Sequence, residues 1–476
     1  MMDGFGATIG FYLEKAIFLY CTFVLSVYFI QGFISYLVVN DYLLSKSLSD
    51  EYELLSSPYL PSITIIAPAY NESVVVTDCV KSLLAVKYFN LEIIVVNDGS
   101  KDDTLERLIS EFDMTPVEKE SYHGIETKPV RGIYKSRRRS LTTLTVIDKE
   151  NGRKADAINV GINYGWSDYY MVIDLDCILE PFALLRMVEP VLKSKKEVVA
   201  VGGVIGATND SEISHGKFIT AKAPKNFLPR MQIVEYIRAF LMSRPAWSTV
   251  NGLLIVSGAL GLFERKSLVA VGGYSHDSIG EDMDLIIKLH KYCRDHKMNY
   301  AIEYVPFPLC WTEVPESKKI LGSQRNRWMR GTIECMVRHR KMMFNPRYGV
   351  IGMVSYPFWF FGEMLAPFME IGGLVLIFAF AMFGYIDVDY AMRLLIAVYI
   401  VSLFISFSSL ALYYFSFRKY HRPEDLTQLF KSAMLEPILY HPRVLLWSMR
   451  GYKDYLFKKN VGWGMMTRTG LKKAAS

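Results

Sequence analysis

The sequence predicts an α/β domain, its sheet mostly parallel and covered by helices on both faces, inserted between transmembrane helices. Three observations carry that expectation. Short β-rich runs alternate with helical patterns from Pro61 to Pro306, long uncharged stretches flank the region, and the composition is too apolar for an ordinary soluble enzyme. Of 476 residues, 51% are hydrophobic and 21% charged, which excludes a disordered chain. A mean hydropathy of +0.17, with 28 Phe and 30 Tyr, points to a membrane. The six cysteines, at positions 21, 79, 177, 293, 310 and 335, form no CxxC pair, so neither a disulfide framework nor a zinc site is indicated and a reducing cytosolic face is expected.

Ala16 to Val39 contains no charged residue and as a helix covers about 36 Å, enough to cross a bilayer core. A cleaved signal peptide fits poorly, because Asp3 and Glu14 precede the run where a basic start belongs. Leu394 to Phe417, between Arg393 and Arg418, is a second span. Gly349 to Ile386 is apolar but holds Glu363, Glu370, Pro357 and Pro367, which reads as an interfacial helix followed by a third span from about Pro367. Glu363 and Glu370 either line a polar route or pair with Arg or Lys from the cytosolic side. Lys and Arg gather between Lys318 and Lys341 and again after Arg418, while Asp387 and Asp389 lie in the link between the last two spans. Both basic segments are therefore expected in the cytosol, with the N-terminus outside and Asp41 to Tyr348 inside.

The expected strands are SITIIAP, LEIIVVND, LTVID, YYMVID, VVAVGG, LLIVSG and NYAIEYV. Ligands of such sheets bind outside the C-terminal strand ends, which directs attention to Asn97-Asp98-Gly99-Ser100 and Asp174-Leu175-Asp176. Either segment alone would serve as a helix cap. Two carboxylates two residues apart at a strand end point the same way, however, and suit a divalent cation bridging to phosphate. No GxGxxG or GxxxxGK[ST] occurs, so phosphates must be held by metal and side chains.

Gly280-Glu281-Asp282 opens an amphipathic helix, where a carboxylate is favoured by the helix dipole and can also act as a general base. Between Lys318 and Lys341 stand eight Lys/Arg against one Glu, a pattern that suits a helix lying on a membrane surface. That reading accounts for the charge but not for the cluster Gln324, Arg325, Arg327 and Trp328, whose guanidinium forks suit phosphate and whose indole suits a sugar face. The loop Pro129 to Ser140, with Arg137, Arg138 and Arg139, reads as a solvated charged hairpin, and no nucleic-acid module is present.

Taken in order, PAYNE, NDGS, KADAIN, DLD, VSGALG, GED, QRNRW and the terminal GWGMMTRTG resemble the membrane-embedded family 2 glycosyltransferases, among them the bacterial poly-N-acetylglucosamine, cellulose and hyaluronan synthases, with the first nearest in pattern. The resemblance implies a GT-A fold, a UDP-sugar donor and Mg2+ or Mn2+. It places Ala69, Tyr70, Asn71, Glu72 and Asp98 around the uridine with Lys154 and Asp156 beside them, and Asp174 and Asp176 at the nucleotide and metal. Ser257 and Gly258 would floor the acceptor site, Asp282, preceded by Glu281, would be the catalytic base, and Gln324, Arg327 and Trp328 would grip the pyrophosphate and the acceptor sugar. Trp463, Thr467 and Arg468 are similar to a loop that closes over the nucleotide.

One base opposite the leaving UDP gives a single displacement and a β-link from an α-linked donor. The expected protein is an inverting, metal-dependent hexosyltransferase of the cytoplasmic membrane, multi-pass, that extends a β-linked polysaccharide and couples synthesis to export. The alternatives are transfer of one sugar to a polyprenyl phosphate or diacylglycerol, and a non-catalytic scaffold. Two departures stand out: Gly280 occupies the place of a threonine in cellulose synthases, and three spans are few for a polymer pore, which a small membrane partner or a second copy would complete. The expected divisions are 1–45 for the first span, 46–315 for the catalytic domain, 316–365 for interfacial helices, 366–420 for two spans and 421–476 for a cytosolic amphipathic tail.

Overall fold

A computed structural model describes residues 2–45, 48–214 and 217–458. Its strands are β1 (Ile63–Ala69), β2 (Leu91–Asn97), β3 (Met114–Pro116), β4 (Val130–Ser136), β5 (Leu144–Lys149), β6 (Tyr169–Ile173), β7 (Ile178–Leu179), β8 (Glu197–Ala207), β9 (Glu212–Ser214), β10 (Lys217–Thr220), β11 (Leu260–Glu264) and β12 (Tyr300–Thr312). Among the described residues ten of them form one sheet in the order β3-β4-β5-β2-β1-β6-β11-β8-β12-β7, and β9 and β10 form a separate hairpin. β5, β2, β1 and β6 run parallel, β11 runs antiparallel between β6 and β8, and β8 and β12 are parallel. The central strands are continuous apolar runs because helices cover both faces; every residue of β2, β5 and β6 is buried.

Strand order reverses at β1. The chain moves outward from β1 to β2 and β5, then returns to lay β6 on the other side of β1, and this switch opens a crevice beyond the carboxyl ends of β1 and β6. Ala69 aligns with Asn97 and Asn97 with Asp148, so these three strands end level at the crevice.

Two expectations are corrected. LLIVSG is not a strand: residues 252–257 are coil, Leu253, Leu254 and Val256 being buried all the same, and the strand is the following LGLFE. Pro129 to Ser140 is not simply a solvated loop, since Val130–Ser136 forms β4, paired antiparallel with β3 and β5.

Thr8–Leu44 and Val388–Phe417 are long and apolar enough to cross a membrane, and a pair bent by 45°, Ile351–Met364 and Ala366–Met382, makes a third if counted as one span. Glu14, on the first helix, accepts a hydrogen bond from the Asp387 amide at 3.2 Å, so the start of that helix and the link before Val388 meet at one end. At the other end the helices grip the catalytic domain: Ser35 donates to the Met242 carbonyl at 2.8 Å, and Arg238 donates to Ser406 at 2.9 Å and pairs with Glu436 at 3.1 Å. The first of these satisfies a carbonyl in a wide helical turn, Arg238–Ser243, where the i to i−4 ladder is interrupted. The His441–Leu456 helix packs along the Lys318–Arg338 helix, tied by Asn326 to Asp454 at 2.7 Å.

Candidate active site

The loops after β1 and β2 are locked to each other. Asn71 takes a left-handed conformation, φ 56°, its amide donating to Ser100 Oγ at 3.0 Å and its side chain accepting from the Lys101 amide at 2.8 Å. The Glu72 amide donates to Thr104 Oγ1 at 2.9 Å. Gly99 is required in this loop, because φ is +65° and a Cβ there would stand 2.9 Å from the Asn151 nitrogen. Ala69 is buried and Tyr70 exposed at the rim.

Asp98 is buried behind this rim. Its Oδ1 accepts from Lys149 Nζ at 2.8 Å and the Gly152 amide at 2.9 Å, and its Oδ2 from Asn151 at 3.1 Å. Burial holds its carboxyl above the ordinary value in spite of these donors. Lys149, wholly buried, also pairs with Asp156 at 2.6 Å, and Asp156 accepts from the Lys128 amide at 3.0 Å. Lys154 and Asp156 therefore separate: Asp156 turns into this buried triad, whereas Lys154 turns to the other side of the crevice.

There Lys154 Nζ pairs with Asp174 and donates to the Gly258 carbonyl at 3.1 Å. The Gly258 amide in turn donates to Asp282 Oδ2 at 3.2 Å. A Cβ at Gly258 would stand 3.2 Å from Lys154 Nζ and 3.6 Å from Asp282 Oδ2, which is how closely the three segments converge. Ser257 beside it accepts from the Ala259 amide at 3.4 Å. Asp282 Oδ1 accepts from the Met283 amide at 2.8 Å, fixing the carboxylate at the start of the Glu281–Asp295 helix.

The expectation that Asp174 and Asp176 point the same way does not hold. β6 stops at Ile173 and residues 174–177 turn, with the Cys177 amide donating to the Asp174 carbonyl at 3.0 Å, so strand alternation no longer governs them. Asp174 faces Lys154, while Asp176 faces Thr312 Oγ1 and Cys177 Sγ, each at 3.5 Å. Among the described residues no three His, Cys, Asp or Glu side chains gather to hold a metal. The two carboxylates are nevertheless the hard oxygen donors that Mg2+ or Mn2+ takes, and such ions complete their shells with substrate phosphates and water.

Burial pulls the Lys154 ammonium down, but Asp174, Glu281 and Asp282 outweigh it and hold it above its ordinary value. Burial, then the adjacent Asp282 charge, pushes the Glu281 carboxyl up to about 7, against the pull of Lys154 and Arg327. Arg327 thus lies within electrostatic reach of Glu281. Gln324, Arg327, Trp328 and Gly331 share one face of the Lys318–Arg338 helix, and Gly331 lies against Gly280, where a Cβ would meet the Gly280 Cα at 2.9 Å. A side chain in place of Gly280 would likewise press on the Gly331 backbone at 3.1 Å. Gln324 Oε1 is buried without a hydrogen-bond partner among the described residues, and Trp328 is 42% exposed. Arg325 is not part of the phosphate cluster: it pairs with Glu235 at 2.7 Å, donates to Tyr440 at 3.1 Å and lies over the Trp328 ring at 4.2 Å. Trp463, Thr467 and Arg468 lie outside the described residues.

Sequence reasoning overlooked Lys149 and Arg244. Lys149 follows the apolar run LTVI, where a buried lysine needs two carboxylates that no local pattern reveals. Arg244 follows the wide turn and lies over Phe240 at 3.9 Å, its buried Nη1 without a hydrogen-bond partner among the described residues; burial lowers its guanidinium while Tyr304 and then Asp282 oppose that.

A mostly parallel sheet with β4, β7 and β11 reversed, a switch-point crevice, strand-end carboxylates and a helix-borne acidic pair define a GT-A type glycosyltransferase domain. Residues 130–331 match the family described as "Glycosyltransferase like family 2" and residues 64–141 the one described as "Glycosyl transferase family 2"; the chain belongs to the family 2 glycosyltransferases. It is 30% identical over 319 residues to a poly-beta-1,6-N-acetyl-D-glucosamine synthase of Staphylococcus epidermidis, an alignment covering 66% of this chain and 64% of the relative. The protein of the same description from Staphylococcus aureus strain COL is 29% identical over 314 residues, with the same coverage. The matched region thus spans 64% of the length of these relatives. A mannosyltransferase from Pyrobaculum calidifontis, solved in complex with GDP-Man and Mn2+, aligns with a TM-score of 0.49 at 16% identity, over 93% of this chain and 100% of that one.

Proposed function

We propose that this protein is an inverting glycosyltransferase of the cytoplasmic membrane that adds hexosyl units from a UDP-sugar to a β-linked polysaccharide. The observation that carries the reading is the convergence of Lys154, Gly258 and Asp282, which sets the donor side of the crevice directly against the acceptor side. The relatives' description makes N-acetylglucosamine the first sugar to test.

Asp282 takes the proton of the acceptor hydroxyl as its oxygen bonds to the anomeric carbon; the bond from that carbon to the diphosphate breaks and UDP leaves with the electron pair. Lys154 and Arg327 face the negative charge that develops on the diphosphate. When bound, a divalent cation supplies further charge neutralisation there, and Asp174 and Asp176 are the residues that would hold it. The loops of Ala69–Glu72 and Asp98–Ser100 form the rim on which the nucleoside rests, with Gln324 and Trp328 on the acceptor side.

The test is to supply the full chain in lipid nanodiscs with a panel of UDP-sugars and Mg2+ or Mn2+, and to size the products. Polymer supports the reading, single-sugar glycolipid favours the lipid-acceptor alternative, and no transfer from any donor refutes both.

A further inference from the structure

The face of the Lys318–Arg338 helix that carries Gln324, Arg327 and Trp328 continues through Gly331, Glu334, Cys335 and Arg338 to His339, and every one of the latter residues meets the segment around the Glu281–Asp295 helix. Gly331 touches Gly280, Cys335 Sγ donates to the Gly280 carbonyl at 3.4 Å, and Glu334 accepts from the Ile279 amide at 3.3 Å. Arg338 pairs with Asp277 at 3.0 Å. At the end of the row, His339 Nε2 donates to Asp284 Oδ1 at 2.8 Å. Asp284 has no exposed surface; its other oxygen accepts from Ser275 at 2.5 Å, and Lys288 and Arg338 lie 4.0 and 3.8 Å away. A buried carboxylate so fully engaged tolerates little displacement, because losing a partner leaves charge uncompensated.

We propose that Asp284 and His339 are positioning residues that set the register of Gln324, Arg327 and Trp328 against Glu281 and Asp282. Neither touches the crevice. Asp284 lies two residues beyond Asp282 on the same helix, and side chains of the partner helix lean towards its N-terminus, so the contact at His339 and the glycine contact fix the helix that presents Arg327. The inference rests on the glycosyltransferase reading. A glutamine at 339 can still donate to Asp284, whereas alanine cannot.

The experiment compares His339→Ala, His339→Gln, Gly331→Ala and Asp282→Asn in the full chain in nanodiscs, with UDP-N-acetylglucosamine as donor, an N-acetylglucosamine oligomer as acceptor, and calorimetric UDP binding as a separate readout. His339→Ala and Gly331→Ala are expected to lower kcat by about 10²-fold, the cost of misplacing reacting groups by about 1 Å, with UDP affinity kept and His339→Gln restoring most of the rate. Wild-type kcat in His339→Ala, or equal losses of UDP affinity and rate, overturns the proposal. Where His339→Ala yields no folded protein, Gly331→Ala decides by the same two readouts. An active Asp282→Asn overturns the functional reading itself, whereas a dead Asp282→Asn beside an unimpaired His339→Ala overturns the positioning role alone.

Discussion

Asp282 and Glu281 are neighbours in sequence with different environments, and the chemistry depends on that difference. Asp282 receives two backbone amides, whereas Glu281 is half-buried and its carboxyl is held up to about 7. Asp282→Asn keeps the shape and removes proton acceptance, so kcat should fall by about 10²–10⁴-fold with UDP affinity retained; loss of UDP binding in calorimetry would move Asp282 to the nucleotide site. Deprotonation of Glu281 strengthens the neighbouring base, so kcat should rise as pH passes through about 7, and Glu281→Gln should flatten that rise. The sign for stability is the opposite. A glutamate raised from 4.5 in the unfolded chain to about 7 costs the fold nothing at low pH and progressively more as the pH rises through that window. A rate inflection that survives in Glu281→Gln belongs to another group. Lys149→Met should cost about 3–5 kcal/mol by leaving Asp98 and Asp156 buried without their cation, read as a lowered Tm; an unchanged Tm would contradict the triad. Asp98 and Asp156 were legible in NDGS and KADAIN, but the lysine between them was not, since its partners lie 51 residues back and on the next helix, and only the folded sheet brings them together.

At the scale of elements, hydrophobic runs disclosed burial more faithfully than conformation. LLIVSG runs as coil with Leu253, Leu254 and Val256 buried, and nothing in its composition separates that from a strand. β4 escaped notice for the converse reason: it is near the sheet edge, with Ile133 buried but Arg131 exposed and Lys135 half-exposed, so its charge masks its pairing. Neither membrane carboxylate meets an Arg or Lys in an ion pair among the described residues: Glu370 pairs with His441 at 2.7 Å, and Glu363 accepts from Tyr28 at 2.8 Å. Glu370→Gln should therefore lower Tm by releasing the His441–Leu456 helix. Glu363→Gln keeps an acceptor for Tyr28 and should leave the protein folded while altering product length, if that face meets the sugar chain. The reverse pattern would exchange the two assignments.

Across the whole molecule, the catalytic crevice and the membrane helices form one device, because Arg238, Ser35 and Met242 join the helices to the segment that leads into Gly258. A cation at Asp174 and Asp176 would be shared between chain and donor, so excess EDTA and Asp176→Ala should each abolish transfer, and full activity in chelator would contradict metal dependence. The proposed chemistry is a single displacement at the anomeric carbon with Asp282 as base. The most direct test is the anomeric configuration, by NMR, of the first glycosidic bond made from an α-linked UDP-sugar by the full chain in nanodiscs. A single displacement gives a β-linkage; an α-linkage would rule it out.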